Sequence, residues 1–234
     1  MLKFWKMRAD RGAEAEAGFT LIEMSIVLVI IGLIIGGVLK GQELIASTRL
    51  KAVVTQWDGI KAAVNGYMDR YNALPGDDPN AAANILAGLT SGGGNGLVGT
   101  RAATTAGYAA DATTGENIQA WSHMAAANLI SQVTVLGGVT GGGIPAGRFG
   151  GSSFMLIDAI DAAEIGLWAR FTQGFVATPT TNPLDNKQAA EIDRKFDDAV
   201  STTGVIHGGA VGAGTCNYAI ANTGKVCTML MLVQ

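Results

Sequence analysis

The chain has 234 residues, with 16 lysines and arginines against 19 aspartates and glutamates, so its formal net charge is −3. This mild acidity argues against a nucleic-acid-binding surface, because such a surface needs clustered positive charge. With two histidines, no nucleophile beside a base and no metal-ligand spacing, the sequence predicts neither an enzyme nor a metal or cofactor site.

An apolar run extends from residue 19 to residue 39, and Glu23 is its only strongly polar residue. As a helix this run would be about 31 Å long, which is the thickness of the hydrocarbon core of a bilayer. A charge inside such a segment costs about 2.5–3.5 kcal/mol. Glu23 is therefore expected to have a partner or a function.

A polar leader precedes the apolar run and ends at Gly18. Its basic residues are Lys3, Lys6, Arg8 and Arg11. A secretory signal peptide is cleaved after its apolar region, but no small-residue cleavage site follows Leu39. The expected processing point is instead the Gly18–Phe19 bond, which makes residues 1–18 a leader peptide. The alternative is an uncleaved membrane anchor in which Glu23 occurs by chance.

The sequence Gly18-Phe19-Thr20-Leu21-Ile22-Glu23, followed by the apolar run, resembles the prepilin signature of type IV pilins and type II secretion pseudopilins. The resemblance implies that a prepilin peptidase cuts between Gly18 and Phe19, and that Phe19 becomes an N-methylated N-terminus. It also implies that Glu23 meets the N-terminal amine of a neighbouring subunit and sets the axial register of a filament. A buried carboxylate and a buried amine offset each other's desolvation cost.

The same resemblance implies a location and a set of partners. The chain would be a single-pass protein of the bacterial inner membrane, where it would meet an assembly platform and other pilins. After assembly it would lie in a cell-surface pilus or a periplasmic pseudopilus. The implied function is that of a structural subunit of a helical, type IV pilus-like filament. A minor pilin, a type II secretion pseudopilin and an adhesive tip module remain alternatives.

A helical pattern continues beyond the apolar run. One face of residues 41–72 carries apolar side chains at three- and four-residue steps: Leu50, Val53, Val54, Trp57, Ile60, Val64, Tyr67, Met68 and Tyr71. Pro75 predicts the end of the helix, since the residue before a proline disfavours helical geometry. We therefore expect one helix over about 19–72, with an apolar half (19–40) and an amphipathic half (41–72). Glycines 32, 36, 37 and 41 indicate close helix packing or local weakness.

Residues 73–234 are expected to form a globular head. Helical patterns cover about 116–130 and 186–200, and Pro79 is expected to open a short helix. Strand patterns cover 152–157, 166–176, 204–207, 217–221 and 226–233. A long helix followed by strands predicts the α+β class, with a small antiparallel sheet. The resemblance adds a type IV pilin-like arrangement of these elements.

Four groups of head residues have a pattern that suggests chemistry. The Gly94-x-Gly96-x-x-Gly99 stretch matches a dinucleotide fingerprint by letter, but no strand precedes it and no clear helix follows. Asn95, Asp111 and Glu116 do not have the spacing of a calcium-binding loop. The third and fourth groups are acidic, namely Asp158, Asp161 and Glu164, and Asp193, Asp197 and Asp198. The last could bind a cation, although we interpret both acidic groups as solvated helix faces.

The sequence also supports predictions for three further residues of the head. His123 is expected to be a packed or capping histidine. Cys216 and Cys227 predict one disulfide in an exported domain, and a metal-binding pair is the alternative. The chain-entropy estimate for such a short loop is somewhat under about 3 kcal/mol.

Overall fold

The computed structural model describes residues 18–99, 115–131, 145–149, 151–160, 165–173, 182–210, 216, 218, 224 and 227–234. Contacts divide the chain into two compact units, Met1–Ile45 and Ala46–Gln234. The first unit contains the apolar part of helix α1 (Leu21–Tyr71), and the second contains the rest of α1 and all the other helices and strands.

Helix α1 runs from Leu21 to Tyr71, close to the predicted bounds. It ends because Asn72 takes a left-handed φ of 53° while its N–H donates to the Met68 carbonyl at 2.8 Å. Asparagine tolerates this conformation better than most residues. Most of the predicted apolar face of the second half is buried, while Met68 and Tyr71 are partly buried. The buried predicted side chains are Leu50, Val53, Val54, Trp57, Ile60, Val64 and Tyr67, and Ala63 is buried as well.

Three shorter helices belong to the second unit: α2 (Ala81–Asn84), α3 (Glu116–Ala126) and α4 (Asn186–Phe196). Both α3 and α4 begin where the sequence predicts and end earlier. Helix α3 is followed by Asn128 in a left-handed conformation, with the Leu129 N–H donating to the Met124 carbonyl. Helix α4 starts with a capping box in which Asp185 and Gln188 exchange hydrogen bonds.

Four strands form one antiparallel sheet: β1 (Ser152–Ile160), β2 (Ile165–Gln173), β3 (Ile206–Ala210) and β4 (Cys227–Leu232). Their order across the sheet is β1-β2-β4-β3. The predicted strands at 152–157, 166–176, 204–207 and 226–233 correspond to these four, although 174–176 lie outside the described residues. The strand predicted at 217–221 also lies outside them, except for Tyr218, which is in a turn.

Both faces of the sheet are buried. One face carries Phe154, Leu156, Phe171, Met229 and Met231, which join the buried stripe of α1 and residues of α3 and α4 in the main core. The other face carries a second apolar cluster, Met155, Ile157, Trp168 and Leu230. Successive side chains of a strand point to opposite faces, so these strands are apolar on both sides. The α+β fold class is confirmed.

Candidate processing and assembly segment

The predicted cleavage position lies just outside α1. Gly18, Phe19 and Thr20 precede the first helical residue, Leu21, and all three are exposed. The Phe19 side chain is 79% exposed. A peptide bond in an exposed, non-helical segment is accessible to a peptidase, whereas a bond inside a helix must first unwind. The Gly18–Phe19 bond is therefore exposed and lies outside the helix.

Glu23 is bound to the start of its own helix. The Thr20 N–H and the Thr20 hydroxyl both donate to Glu23 Oε2 at 2.8 Å, and the Glu23 N–H donates to Thr20 Oγ1 at 3.3 Å. This is the reciprocal pattern of a capping box, with threonine before the helix and glutamate three residues later. All three bonds involve atoms C-terminal to Phe19, so a cut at Gly18–Phe19 leaves the box intact.

The first half of α1 exposes apolar side chains along its length. Seventeen large ones are more than a third exposed between residues 19 and 45, from Phe19 and Leu21 at the start to Leu44 and Ile45 at the end. By length and composition this stretch could cross a membrane, and none of it is buried. Each such side chain gains about 1.5–3 kcal/mol when it is fully buried. The segment therefore needs lipid or protein around it.

The glycines of this half lie within an unbroken helix. At Gly32, Gly36, Gly37 and Gly41 an added Cβ would meet nothing within 4 Å. An exposed pair, Lys40 and Glu43, forms a 2.7 Å ion pair next to the last of them. Glycine on an open helix surface permits the backbone of another helix to approach closely.

The glycine-rich stretch of the head is occupied by the protein's own carboxylates. Glu116 accepts the N–H groups of Gly93 and Gly99 at 2.8 and 2.9 Å. Asp77 accepts those of Asn95 and Gly96 at 2.9 and 2.7 Å. A phosphate-binding loop instead leaves such N–H groups to the ligand. The interpretation of residues 94–99 as a loop without nucleotide chemistry agrees with this geometry.

The prediction that both acidic groups form solvated helix faces is wrong in part. Asp158 lies in strand β1 and is buried, with its N–H donating to the Val98 carbonyl, so it is not on a solvated helix. Asp161 and Glu164 lie outside the described residues. The error has a simple cause, because acids at three-residue steps fit a helix by spacing, while the surrounding apolar residues favour a strand.

Asp193, Asp197 and Asp198 do come together, with carboxylate oxygens within 4.8 Å of one another. Asp193 is fully buried rather than solvated, and the other two follow the end of α4. Their oxygens accept the N–H groups of Ala199 and Val200, which follow α4, and of Ile206, which begins β3, at 2.7–2.8 Å. The cluster thus holds together the turn that follows α4.

Burial and hydrogen bonding act oppositely on two of these acids. Burial raises the pKa of Asp193, against a smaller opposing effect of the neighbouring Tyr218 hydroxyl. The Thr203 hydroxyl and the Val200 N–H lower the pKa of the exposed Asp198. Burial thus favours the protonated form of Asp193, while hydrogen bonding favours the ionised form of Asp198.

The two cysteines form the predicted disulfide. Cys216 and Cys227 are joined with their Cα atoms 4.9 Å apart, and both are buried. Cys227 is the first residue of β4 and pairs with Leu184 through an isolated bridge. The bond thus fastens the segment before β4 to the sheet, and the metal-pair alternative does not apply.

Sequence reasoning missed the carboxylates that organise the head. Asp77, Asp78 and Glu116 have hydrogen-bonding roles that no motif indicated, although each lies beside a glycine-rich turn and has no basic residue next to it in the sequence. Acids in that setting accept backbone N–H groups in place of a cation. His123 was expected to be packed or capping, and it is: it is fully buried and accepts the Gly76 N–H.

Comparison with known proteins adds one finding. Residues 15–39 match the family model of the prokaryotic N-terminal methylation motif. No curated protein and no solved structure matches the chain. The chain therefore carries the type IV pilin and pseudopilin signature. With its long N-terminal helix and its four-stranded antiparallel sheet, it has an α+β, type IV pilin-like fold.

The signature defines the class of protein in general terms. It implies processing by a prepilin peptidase and assembly into filaments. It implies a structural protein rather than an enzyme. Together with the exposed apolar helix, it indicates membrane anchoring before assembly.

Proposed function

We propose that this protein is a structural subunit of a type IV pilus-like filament. It is anchored by residues 19–40 in the bacterial inner membrane, cut after Gly18, and methylated on Phe19. The observation that carries this proposal is the exposed apolar half of α1, which contains a single acid, Glu23, near its start. Extraction from lipid leaves that surface without a partner, so other copies of the same helix are its natural environment.

Glu23 supplies the register of the filament in this proposal. Its Oε2 accepts the two bonds from Thr20, and within residues 18–99 no hydrogen bond to Oε1 is found. Cleavage creates a positive amine at Phe19, four residues away along the chain. In a filament, the amine of a neighbouring subunit can approach Oε1, and each charge then lowers the desolvation cost of the other.

The processing steps are tested by mass spectrometry of protein sheared from the surface of cells that express the chain. We expect a species that begins at Phe19, carries one methyl group and is two hydrogens lighter because of the disulfide. An intact Met1 terminus in the membrane fraction, with no surface species, would overturn the proposal. A high abundance in sheared filaments indicates a major pilin, and a trace amount indicates a minor pilin or pseudopilin.

The role of Glu23 is tested with Glu23→Ala and Glu23→Leu, expressed beside the wild type. Leucine removes the charge together with its burial cost, so any failure to assemble reflects a lost interaction. Truncating one member of a buried charge pair costs about 2–5 kcal/mol, which corresponds to a loss of incorporation of well over tenfold. Glu43→Ala is the matched control, because it removes an exposed acid from the same helix, and exposed ion pairs such as its pair with Lys40 contribute little. Normal incorporation of both Glu23 variants would refute the register role.

A further inference from the structure

His123 lies at a junction of three segments in the head. It is fully buried on α3, and its Nδ1 accepts the Gly76 N–H at 3.0 Å. Its Nε2 lies 2.8 Å from the Thr90 carbonyl oxygen. A backbone N–H can only donate and a carbonyl can only accept, so this geometry requires a neutral ring with its proton on Nε2. One imidazole thus ties α3 to turn 74–78 and to the segment at Thr90.

Burial and the polar groups around the ring act in opposite directions on the pKa of His123. Tyr67 of α1 stacks on it with ring centroids 6.1 Å apart, and the Tyr67 hydroxyl donates to Asp78 at 2.9 Å. The Thr90 carbonyl, Asp78 of the turn and Glu116 of α3 all favour a protonated ring. Burial disfavours it by more, so the pKa of His123 is lowered.

Turn 74–78 is packed closely on α3. Gly76 has a φ of 96°, and a side chain there would collide with the carbonyl oxygen of Glu116. The next two residues bind residues 91–99, the glycine-rich loop. The carbonyls of Asp77 and Asp78 accept the N–H groups of Gly94 and Gly92, respectively, at 2.9 Å. A displacement of the turn would therefore displace the loop with it.

We propose that His123 is an acid-sensitive latch, which holds turn 74–78 and the glycine-rich loop on α3 while it is neutral and releases them when it is protonated. A protonated ring presents an N–H to the N–H of Gly76, so it loses the accepted hydrogen bond and buries a charge. This device belongs to the head and does not depend on filament assembly.

The sign of the effect follows from the lowered pKa. The latch is fully closed above the ordinary histidine pKa of about 6.5, and its contribution is lost as the pH falls through the lower value of the folded state. Between those two pKa values, the fraction of molecules in which the latch is open rises by up to about tenfold for each unit by which the pH falls.

The test is amide hydrogen exchange of the full chain in detergent micelles at pH 7, 6 and 5, expressed as protection factors that remove the intrinsic pH dependence of exchange. The N–H groups that bind α3 directly, those of Gly76, Gly93 and Gly99, should lose up to about tenfold in protection for each pH unit below about 6.5. Strand β2 should keep its protection. Equal protection of the turn at pH 7 and pH 5 would overturn the proposal.

Two substitutions separate the latch from general acid sensitivity. In His123→Gln the side-chain amide can accept from Gly76 and donate to Thr90 without titrating, so the pH dependence of the turn should disappear. The chain has one other histidine, and His207→Gln should leave that dependence intact. Persistence of the slope in His123→Gln would refute the latch. If that variant does not fold, NMR titration of the wild-type His123 ring decides, and a pKa at or above about 6.5 would overturn the proposal.

Discussion

Ala199 adopts a backbone conformation that alanine rarely takes. Its φ is 65°, in the left-handed region that favours glycine. The conformation costs about 1–2 kcal/mol for a residue with a Cβ. It persists because the Ala199 N–H donates to the buried Asp193 carboxylate at 2.8 Å, and carboxylate hydrogen bonds are among the stronger ones.

We expect Ala199→Gly to raise the free energy of unfolding by about 0.5–1 kcal/mol, because glycine takes a left-handed conformation without strain. The measurement is chemical denaturation of the full chain in detergent. Ala190→Gly is the matched control, since the same change inside helix α4 should lower the free energy of unfolding by about 1 kcal/mol. A destabilised Ala199→Gly would contradict the argument that the backbone is strained at this exposed position.

Two buried side chains make the free energy of unfolding depend on pH in opposite directions. The pKa of Asp193 is raised by burial, so this group contributes stability at low pH that is lost as the pH rises through its raised pKa. The pKa of His123 is lowered, and its contribution is lost as the pH falls. A global stability curve therefore mixes both effects, which is why the latch is tested by exchange at its own residues.

At the scale of the element, the glycine-rich loop has little apolar surface to hold it in place. Val98 is its one buried large apolar side chain among residues 91–99. Its order comes instead from Asp77 and Glu116, whose four carboxylate oxygens each accept one backbone N–H. Hydrogen bonds to charged acceptors contribute about 1.5–3 kcal/mol each, enough to order a flexible segment.

Glu116→Gln should lower the free energy of unfolding by about 1.5–3 kcal/mol. The amide of glutamine has one acceptor oxygen, so one of the two N–H groups, from Gly93 or Gly99, would face an NH₂ group. Thermal or denaturant unfolding of the full chain measures this loss, and amide exchange locates it in residues 93–99. Asp58→Asn is the control, because Asp58 is exposed on α1 and its change should stay within about 0.5 kcal/mol.

Helix α1 also shows how one element can carry two surfaces. From Leu50 onward a single stripe is buried in the head, whereas residues 19–45 expose apolar side chains on every side. A helix with apolar residues on one face needs one partner, and a helix apolar all round needs a complete apolar environment. The change between the two patterns can be seen in the sequence.

For the whole molecule, the disulfide closes the C-terminal part of the head. Cys216 and Cys227 are separated by eleven positions, and Cys227 starts the central strand β4. Strand β4 pairs with both β2 and β3, so it links the two halves of the sheet. A constraint at its first residue therefore acts on the sheet as well as on the loop.

Replacing both cysteines with alanine should lower the free energy of unfolding by somewhat under about 3 kcal/mol, the entropy estimate for a loop of this length. Alanine avoids placing a hydroxyl in this buried site. Reduced wild-type protein is the companion measurement and should lose a similar amount. An unchanged double variant would mean that the packing around β4 is sufficient by itself.

The sequence by itself determined the long N-terminal helix of the protein and the signature at its start. The signature at residues 18–23, the membrane-length apolar run, the stripe from Leu50 to Tyr71 and the helix end near Asn72 all depend on neighbours within a few residues. Local spacing also predicted four strands and the starts of α3 and α4. Hydrophobic periodicity and proline geometry act over such short distances, so they can be read without a fold.

Tertiary structure alone decided which acids are buried and what they bind. Asp77 meets Asn95 and Gly96 eighteen and nineteen residues away, and Glu116 meets Gly93 and Gly99 from the other side. Asp158 became a buried strand residue for the same reason, because the sheet and not the local spacing placed it. A carboxylate gives the same local signal whether it faces water or a distant backbone N–H, and only the folded chain brings the two together.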